Sequence, residues 1–415
     1  MKLLVFAHTP PPHHGQSYMV KLMLDGLGGD WRGRDKEGQG RPGEASDSPI
    51  QCYHVNARVS EDLEDIGAFR IEKVLLVWRY CLEAIICRFR YGIDAFYYVP
   101  APGKRAALYR DWLVMLLCRP FFRRFIHHWH AVGLGDWLRR EGAAFERWFT
   151  HLLLGKPSLG IALAIPSMRD ALWFESQNVE IVPNGIPEPC PDFETVVLPR
   201  RLARLAARRR LLAGDSLAAD ERQFTGNDPE VFRILYLAHC IAEKGLFDTV
   251  DAVALANSRL RAENSPIRIH LTVAGQFLFS HEEQNFRARL EPLELAEAVT
   301  YAGFVSGENK ARLLRESDCL CFPTYYPAEG QPVNLLEAMA YGLPIVTTRW
   351  RAIPEILPPD YPGFVPPKKP AELADKLREF MTAESTGLRA QFLRFFTEET
   401  HLQRLTETLM QLDPA

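Results

Sequence analysis

Short apolar runs and amphipathic helical stretches take turns along this chain, stop, and then begin again. In the first half the apolar runs are LLVFA (3–7), QCYHVNA (51–57), DAFYYVP (94–100), the strand that opens FRRFIHHWH (122–130), SLGIALAIP (158–166) and NVEIVPNG (178–185), which closes on an Asn-Gly turn. Helical stretches run from about Ser17 to Gly26 and around 66–91. After a break the pattern restarts with FRILYLAH (232–239), IRIHLTVAG (267–275), AVTYAGFV (298–305), DCLCFPT (318–324) and LPIVTT (343–348). The helix GLFDTVDAVALANSRL (245–260) and others lie between these runs. Strands that alternate with helices of this length imply parallel βαβ units. The fold expected is α/β, with two Rossmann-like domains facing each other across a cleft. Ligands of such sheets bind beyond the carboxyl ends of the strands.

The chain's 415 residues exceed what one ordinary core holds, and 47% hydrophobic residues suffice for two. Residues 1–190 read as the first domain and 231–387 as the second. The stretch 191–230 holds PRRLARLAARRRLLAGD and the loop QFTGNDPE, and reads as a linker whose arginines line a solvated helix face. A helical run at 388–415 is expected to pack back on the first domain. The proline-rich TPPPHHG and the polar stretch 29–49 read as loops.

Charge and cysteines narrow the function classes. A net charge of −3 argues against a general nucleic-acid binder. The eight cysteines, at 52, 81, 87, 118, 190, 240, 319 and 321, form no CxxC pair and sit mostly in apolar segments. They read as buried thiols in a reducing cytosol. The opening MKLLVFAHTPPPHH has five apolar residues after Lys2, short for a secretory segment, and no apolar run is long enough to span a membrane. Between Arg70 and Thr150 there are 14 Lys and Arg against 7 Asp and Glu, interleaved with Trp, Phe, Leu and Ile. Basic, aromatic, amphipathic helices of this kind sit on anionic membranes, or else pack inward with solvated arginine edges. The expected location is the cytoplasm, with peripheral contact at the inner face of the membrane through the first domain.

The residues that carry chemistry are concentrated in the second half. Glu329-Gly330-Gln331-Pro332-Val333-Asn334-Leu335-Leu336-Glu337, followed by AMAYGLP, puts one carboxylate in a loop and another eight positions on, at a helix start. Asn334 with Glu337 fits an N-cap with an acidic N3 residue, and Gly342 with Pro344 ends the helix. A helix beginning there offers N–H groups and a partial positive charge to a diphosphate. Glu337 as a cap alone, and Glu329 as an ordinary loop carboxylate, are the plainer alternatives.

This string resembles the E-x7-E motif of the family 4 retaining glycosyltransferases, whose fold is GT-B. The resemblance implies that Glu329 contacts hydroxyls of a donor sugar and that Glu337 holds the ribose. It places the N–H groups of Val333 and Asn334 at the phosphates, and Gln331 among the residues that bind the donor. Gln331 and Pro332 stand where the family commonly has Phe and Gly. A second string, Leu237-Ala238-His239-Cys240-Ile241-Ala242-Glu243-Lys244-Gly245, is similar to the family's G-R-x-x-x-x-K-G turn. Lys244 then pairs with the diphosphate, and His239 replaces the usual Arg. His130, at the end of its strand, matches a histidine that lies beside the donor sugar, with His127 and His128 as competitors. Gly15 lies in the loop where the backbone approaches the diphosphate, and Phe304 and Val305 match the strand end that meets the base.

Together these imply a retaining transferase that moves a sugar from a UDP- or GDP-sugar to a glycan or lipid-linked acceptor. No D-x-D triad is present, so transfer is expected to need no metal and no cofactor, with His130, Glu329 and Lys244 carrying the catalysis. A sugar-nucleotide epimerase of the same architecture, or a degenerate sugar-nucleotide-binding partner, are the alternatives.

Overall fold

In the computed structural model the described residues are 1–11, 15–32, 48–58, 71–218, 225, 228–384 and 387–412. They form two compact units. The first comprises Met1–Ile186, Pro327–Gln331 and the stretch from Phe396; the second comprises Pro187–Tyr326 and Pro332–Phe395. Pro12, His13 and His14 of the proline-rich loop, most of the polar loop 29–49, and residues 66–70 of the expected helix lie outside the described residues.

The first unit is built on six parallel strands: β1 Lys2–Ala7, β2 Gln51–Asn56, β3 Ala95–Tyr98, β4 Arg124–Trp129, β5 Leu159–Ala162 and β6 Val179–Ile181. Their order across the sheet is β2-β1-β3-β4-β5-β6. Both faces are apolar, as a parallel sheet covered by helices requires. Leu4, Phe6, Phe96, Tyr98 and Phe125 point to one face, under the helices Ile71–Tyr91, Arg105–Cys118 and Ala144–Leu154. Leu3, Val5, Ala95, Tyr97 and Ile126 point to the other, under Gly15–Gly26 and Glu398–Met410. The last of these helices is tied to the unit's own chain. The Ile186 N–H donates to the Phe396 carbonyl at 2.9 Å, and the Pro183 carbonyl lies 2.6 Å from His401 Nδ1. The run expected at 388–415 is therefore divided, because Leu388–Phe395 belongs to the second unit.

The second unit repeats the plan with β7 Val231–Leu237, β8 Arg268–Ala274, β9 Val299–Gly303, β10 Cys319–Phe322, β11 Ile345–Thr348 and β12 Phe364–Val365, in the order β12-β11-β10-β7-β8-β9. The two-residue β12 is too short to leave a signal in the sequence.

The stretch 191–230 corrects the sequence reading. The helix Leu198–Leu212 is part of the second unit, and Arg201, Arg204 and Arg208 are buried. Arg204 Nε donates to Asp318 Oδ1 at 2.8 Å, and Arg208 pairs with Asp318 Oδ2 at 3.1 Å. Arg201 donates to the Tyr341 and Leu314 carbonyls, and Arg208 to that of Met381. These carbonyls lie at the ends of the helices Val333–Ala340, Gly307–Glu316 and Pro370–Phe380. A helix C-terminus leaves carbonyls unpaired and carries partial negative charge, so buried guanidinium groups have partners there. Burial still pushes the Arg201 guanidinium down to about 10, with Arg204 adding repulsion. Burial raises the Asp318 carboxyl, and Arg208 and Arg204 outweigh it to leave a net lowering.

Candidate active site

In each sheet the strand order reverses beside the first strand, and open parallel sheets leave a crevice at such a point, beyond the carboxyl ends. In the second unit that point lies between β7 and β10. After β7 the chain makes one turn of 3₁₀ helix, Ala242–Lys244, and enters the helix Leu246–Ala262 through Gly245. Gly245 has φ of 82°, and a Cβ there would come within 2.5 Å of the Pro323 carbonyl oxygen, so glycine is required. The turn is stitched to the segment after β10. The Glu243 carbonyl accepts from the Tyr325 N–H at 2.8 Å and from the Thr324 hydroxyl at 3.2 Å. This brings Lys244 Nζ to 4.7 Å from the ring centre of Tyr326 and 5.6 Å from that of Phe322. An ammonium this close to aromatic faces is attracted by their ring quadrupoles. His239 sits at the end of β7, where its carbonyl accepts from the Tyr236 hydroxyl at 2.8 Å.

The helix Val333–Ala340 starts at the same crevice, with a different cap from the one expected. Pro332 is the N-cap and makes no side-chain cap bond. Asn334 lies inside the first turn, and its Nδ2 donates to the Leu237 carbonyl at 2.8 Å, which ties the helix start to the end of β7. Glu337, instead of capping, forms an ion pair with Lys310 of the helix Gly307–Glu316. The helix ends in the expected way: Gly342 follows it with φ of 54°. Phe304 is exposed just beyond β9, with Val305 beside it.

The first unit holds the other half of the predicted residues. Glu329 and Gln331 belong to it, although the sequence placed both with the second half. The reason is the approach of their loop to the end of β4: a Cβ on Gly330 would stand 2.1 Å from the His130 carbonyl oxygen. Glu329 is buried in this loop. Gln331 is committed to structure, since its Oε1 accepts from the Asn184 N–H at 2.6 Å and its carbonyl accepts from Asn184 Nδ2 at 3.3 Å. The three histidines of β4 and its end differ sharply. His127 and His128 are fully buried, and burial holds both in the neutral form, His127 down to about 3 and His128 well below the usual range. His128 Nδ1 meets the Tyr97 hydroxyl inside the core. His130 lies past the strand, half-buried, with its ring 4.1 Å from that of His128. Gly15 is the first residue of the helix Gly15–Gly26, so it stands at a helix start and not within the loop.

Two residues of this arrangement were not read from the sequence. Lys310 lies 27 positions from Glu337, in a charged helix with nothing to mark it. Tyr326, in CFPTYYPAEG, is the other, three positions before Glu329. Among the described residues, no group of three or more His, Cys, Asp and Glu gathers in a way that could hold a metal ion. All eight cysteines are buried and unpaired.

Two α/β units, each built on a six-stranded parallel sheet, are the fold class known as GT-B. Residues 218–394 match the family model "Glycosyl transferases group 1", and this segment is a group 1 glycosyltransferase domain. The chain is 25% identical over 197 residues to WcaL of Escherichia coli (strain K12), a protein named as a colanic acid biosynthesis glycosyltransferase, covering 45% of this chain and 46% of WcaL. It is 28% identical over 191 residues to the amylovoran biosynthesis glycosyltransferase AmsK of Erwinia amylovora, covering 43% and 45%. The match thus spans about half the length of these relatives. In fold, the chain is similar to Anabaena Alr3699/HepE in complex with UDP and glucose, with a TM-score of 0.61 at 15% identity over 98% of both chains.

Proposed function

We propose that this protein is a retaining glycosyltransferase of polysaccharide biosynthesis, which moves a sugar from a UDP- or GDP-sugar to a glycan or lipid-linked acceptor. The observation that carries the reading is the crevice between β7 and β10. There Lys244 rests on Tyr326 while Asn334 fixes the start of a helix to the end of β7. A cation and a helix N-terminus at one place suit a diphosphate leaving group. Lys244 and His239 serve the phosphates together with the N–H groups of Val333 and Asn334. Glu337 takes the ribose and Phe304 with Val305 the base. His130 and Glu329, with Gly330 against the His130 carbonyl, serve the sugar. The acceptor oxygen bonds to the anomeric carbon on the face the diphosphate leaves, the bond to the phosphate oxygen breaks, and that phosphate takes the acceptor's proton. The protein's cations do the electrostatic work, so no metal is required.

A thermal-shift panel of UDP, GDP, ADP and their sugars, with and without EDTA, tests the donor site. A nucleotide at a hundredfold excess over its dissociation constant stabilises the fold by about 2.7 kcal/mol. An EDTA-insensitive shift that Lys244→Ala and Glu337→Ala both reduce is expected. No shift with any nucleotide sinks the donor assignment, and an inverted product anomer sinks the retaining one.

A further inference from the structure

The first unit presents an outward face that its own core does not use. In the helix Ile71–Tyr91, Val77, Cys81, Ala84 and Cys87 are buried against the sheet. On the far side Leu75 (65% exposed), Trp78 (51%), Leu82, Ile86 and Phe89 (69%) form a second apolar row. The spacing is three, four, four and three residues, which at about 100° per residue centres the row roughly 155° around the helix from the core line. Solvent on that side would select polar residues. The row continues onto its neighbours. Phe89 packs edge-on against Phe121, with ring centres 6.0 Å apart, just past the helix Arg105–Cys118, where Leu116 is exposed. The helix Ala144–Leu154 packs on that helix and adds Phe145, Trp148 (60%) and Leu152, again at helical spacing and exposed. Single exposed apolar side chains are ordinary; rows on two helices over one sheet face, with Leu116 and Phe121 between them, mark a docking surface.

Charge chooses the occupant. Arg79, Arg90, Arg105 and Arg123 are exposed on or beside these helices, in a stretch whose 14 basic residues outnumber its acidic ones two to one. A second copy meeting this face across a two-fold axis would set like charges against like. An anionic bilayer opposes them with phosphate. We infer that the helices Ile71–Tyr91, Arg105–Cys118 and Ala144–Leu154 lie on the surface of an anionic membrane, with Trp78, Phe89 and Trp148 inserted at the headgroup boundary. No described helix is long and apolar enough to cross a membrane, so the contact is peripheral. The inference stands apart from the proposed reaction and needs no turnover to test.

The test is co-flotation of the full chain with vesicles of phosphatidylcholine alone and with roughly one-third phosphatidylglycerol. Trp78→Glu with Phe89→Glu, Trp148→Glu, and Arg79→Glu with Arg90→Glu are compared with the parent, each checked for an unchanged melting temperature. Preferential binding to the anionic vesicles is expected. Glutamate at the aromatic positions should weaken it at least about tenfold. The arginine reversals should cost about fivefold per lost cation and remove the preference for phosphatidylglycerol. No binding to anionic vesicles, or binding that the folded variants keep, overturns the inference. So does a concentration-dependent dimer in lipid-free buffer that Trp78→Glu abolishes, because the face then belongs to a second copy.

Discussion

Replacing His127 by Phe should stabilise the protein, and more so in acid. The ring is buried, neither of its nitrogens has a hydrogen-bond partner, and it stands edge-on to Trp129 and Tyr98 at centroid distances of 5.9 and 6.4 Å. Burial, helped by Arg119, lowers its pKa to about 3. An unfolded histidine titrates near 6.5. Below that value the unfolded chain takes up a proton that the folded chain refuses, so stability falls as pH drops from about 6.5 towards 3. At pH 5.5 the loss from this one group is RT ln(1 + 10), about 1.4 kcal/mol, and at pH 7.5 it is close to zero. Phenylalanine fills much the same volume and removes the term. It also removes two unpartnered buried nitrogens, which is worth about 1 kcal/mol at either pH. Urea unfolding followed by circular dichroism at pH 7.5 and 5.5 measures both. His128 and His401 are lowered in the same direction, but they are present in both proteins and cancel in the difference. The stabilisation by His127→Phe should therefore grow by about 1.4 kcal/mol between the two pH values. An equal stabilisation at both would refute the claim that His127 is held neutral. Donor turnover should survive the change, since the residue lies in the core.

Three further outcomes are expected. Lys244→Ala should weaken nucleotide-diphosphate binding by about 1.5–3 kcal/mol, the usual worth of a hydrogen bond to a charged group, as read by calorimetry with UDP and GDP; unchanged affinity would remove Lys244 from the phosphate site. Lys310→Ala should weaken the same binding by less, because it frees Glu337 from its partner without touching the ligand; Lys310→Arg should restore it, and a larger loss than with Lys244→Ala would reverse the assignment. Asp318→Asn should cost about 3–5 kcal/mol in urea unfolding, since it leaves the buried Arg204 and Arg208 without their anion. A near-neutral result would show that the helix-end carbonyls suffice.

The elements of the sheets were legible because period and length are local properties of a sequence. Val231–Leu237 and Cys319–Phe322 are apolar runs bounded by turn residues, and any reading by periodicity finds them. What was misread depends on partners distant in sequence. The arginines of Leu198–Leu212 look like a solvated stripe until the helix ends that receive them, some 100 to 170 residues on, are in place. Asn334 three positions before Glu337 has the pattern of a capping box, yet the Leu237 carbonyl, 97 positions back, takes its side chain and moves the cap to Pro332. Membership of a unit is of the same kind. Nothing in Glu329-Gly330-Gln331 says that this loop will pack on the end of β4, and it does so because Gly330 alone has no Cβ to keep the His130 carbonyl away. That contact changes the meaning of the motif. Its two glutamates, eight positions apart, stand on different units, Glu329 with His130 and Glu337 with Lys310. A substitution at Gly330 should therefore disturb Glu329 and His130 in the first unit, and leave nucleotide binding by the second largely intact.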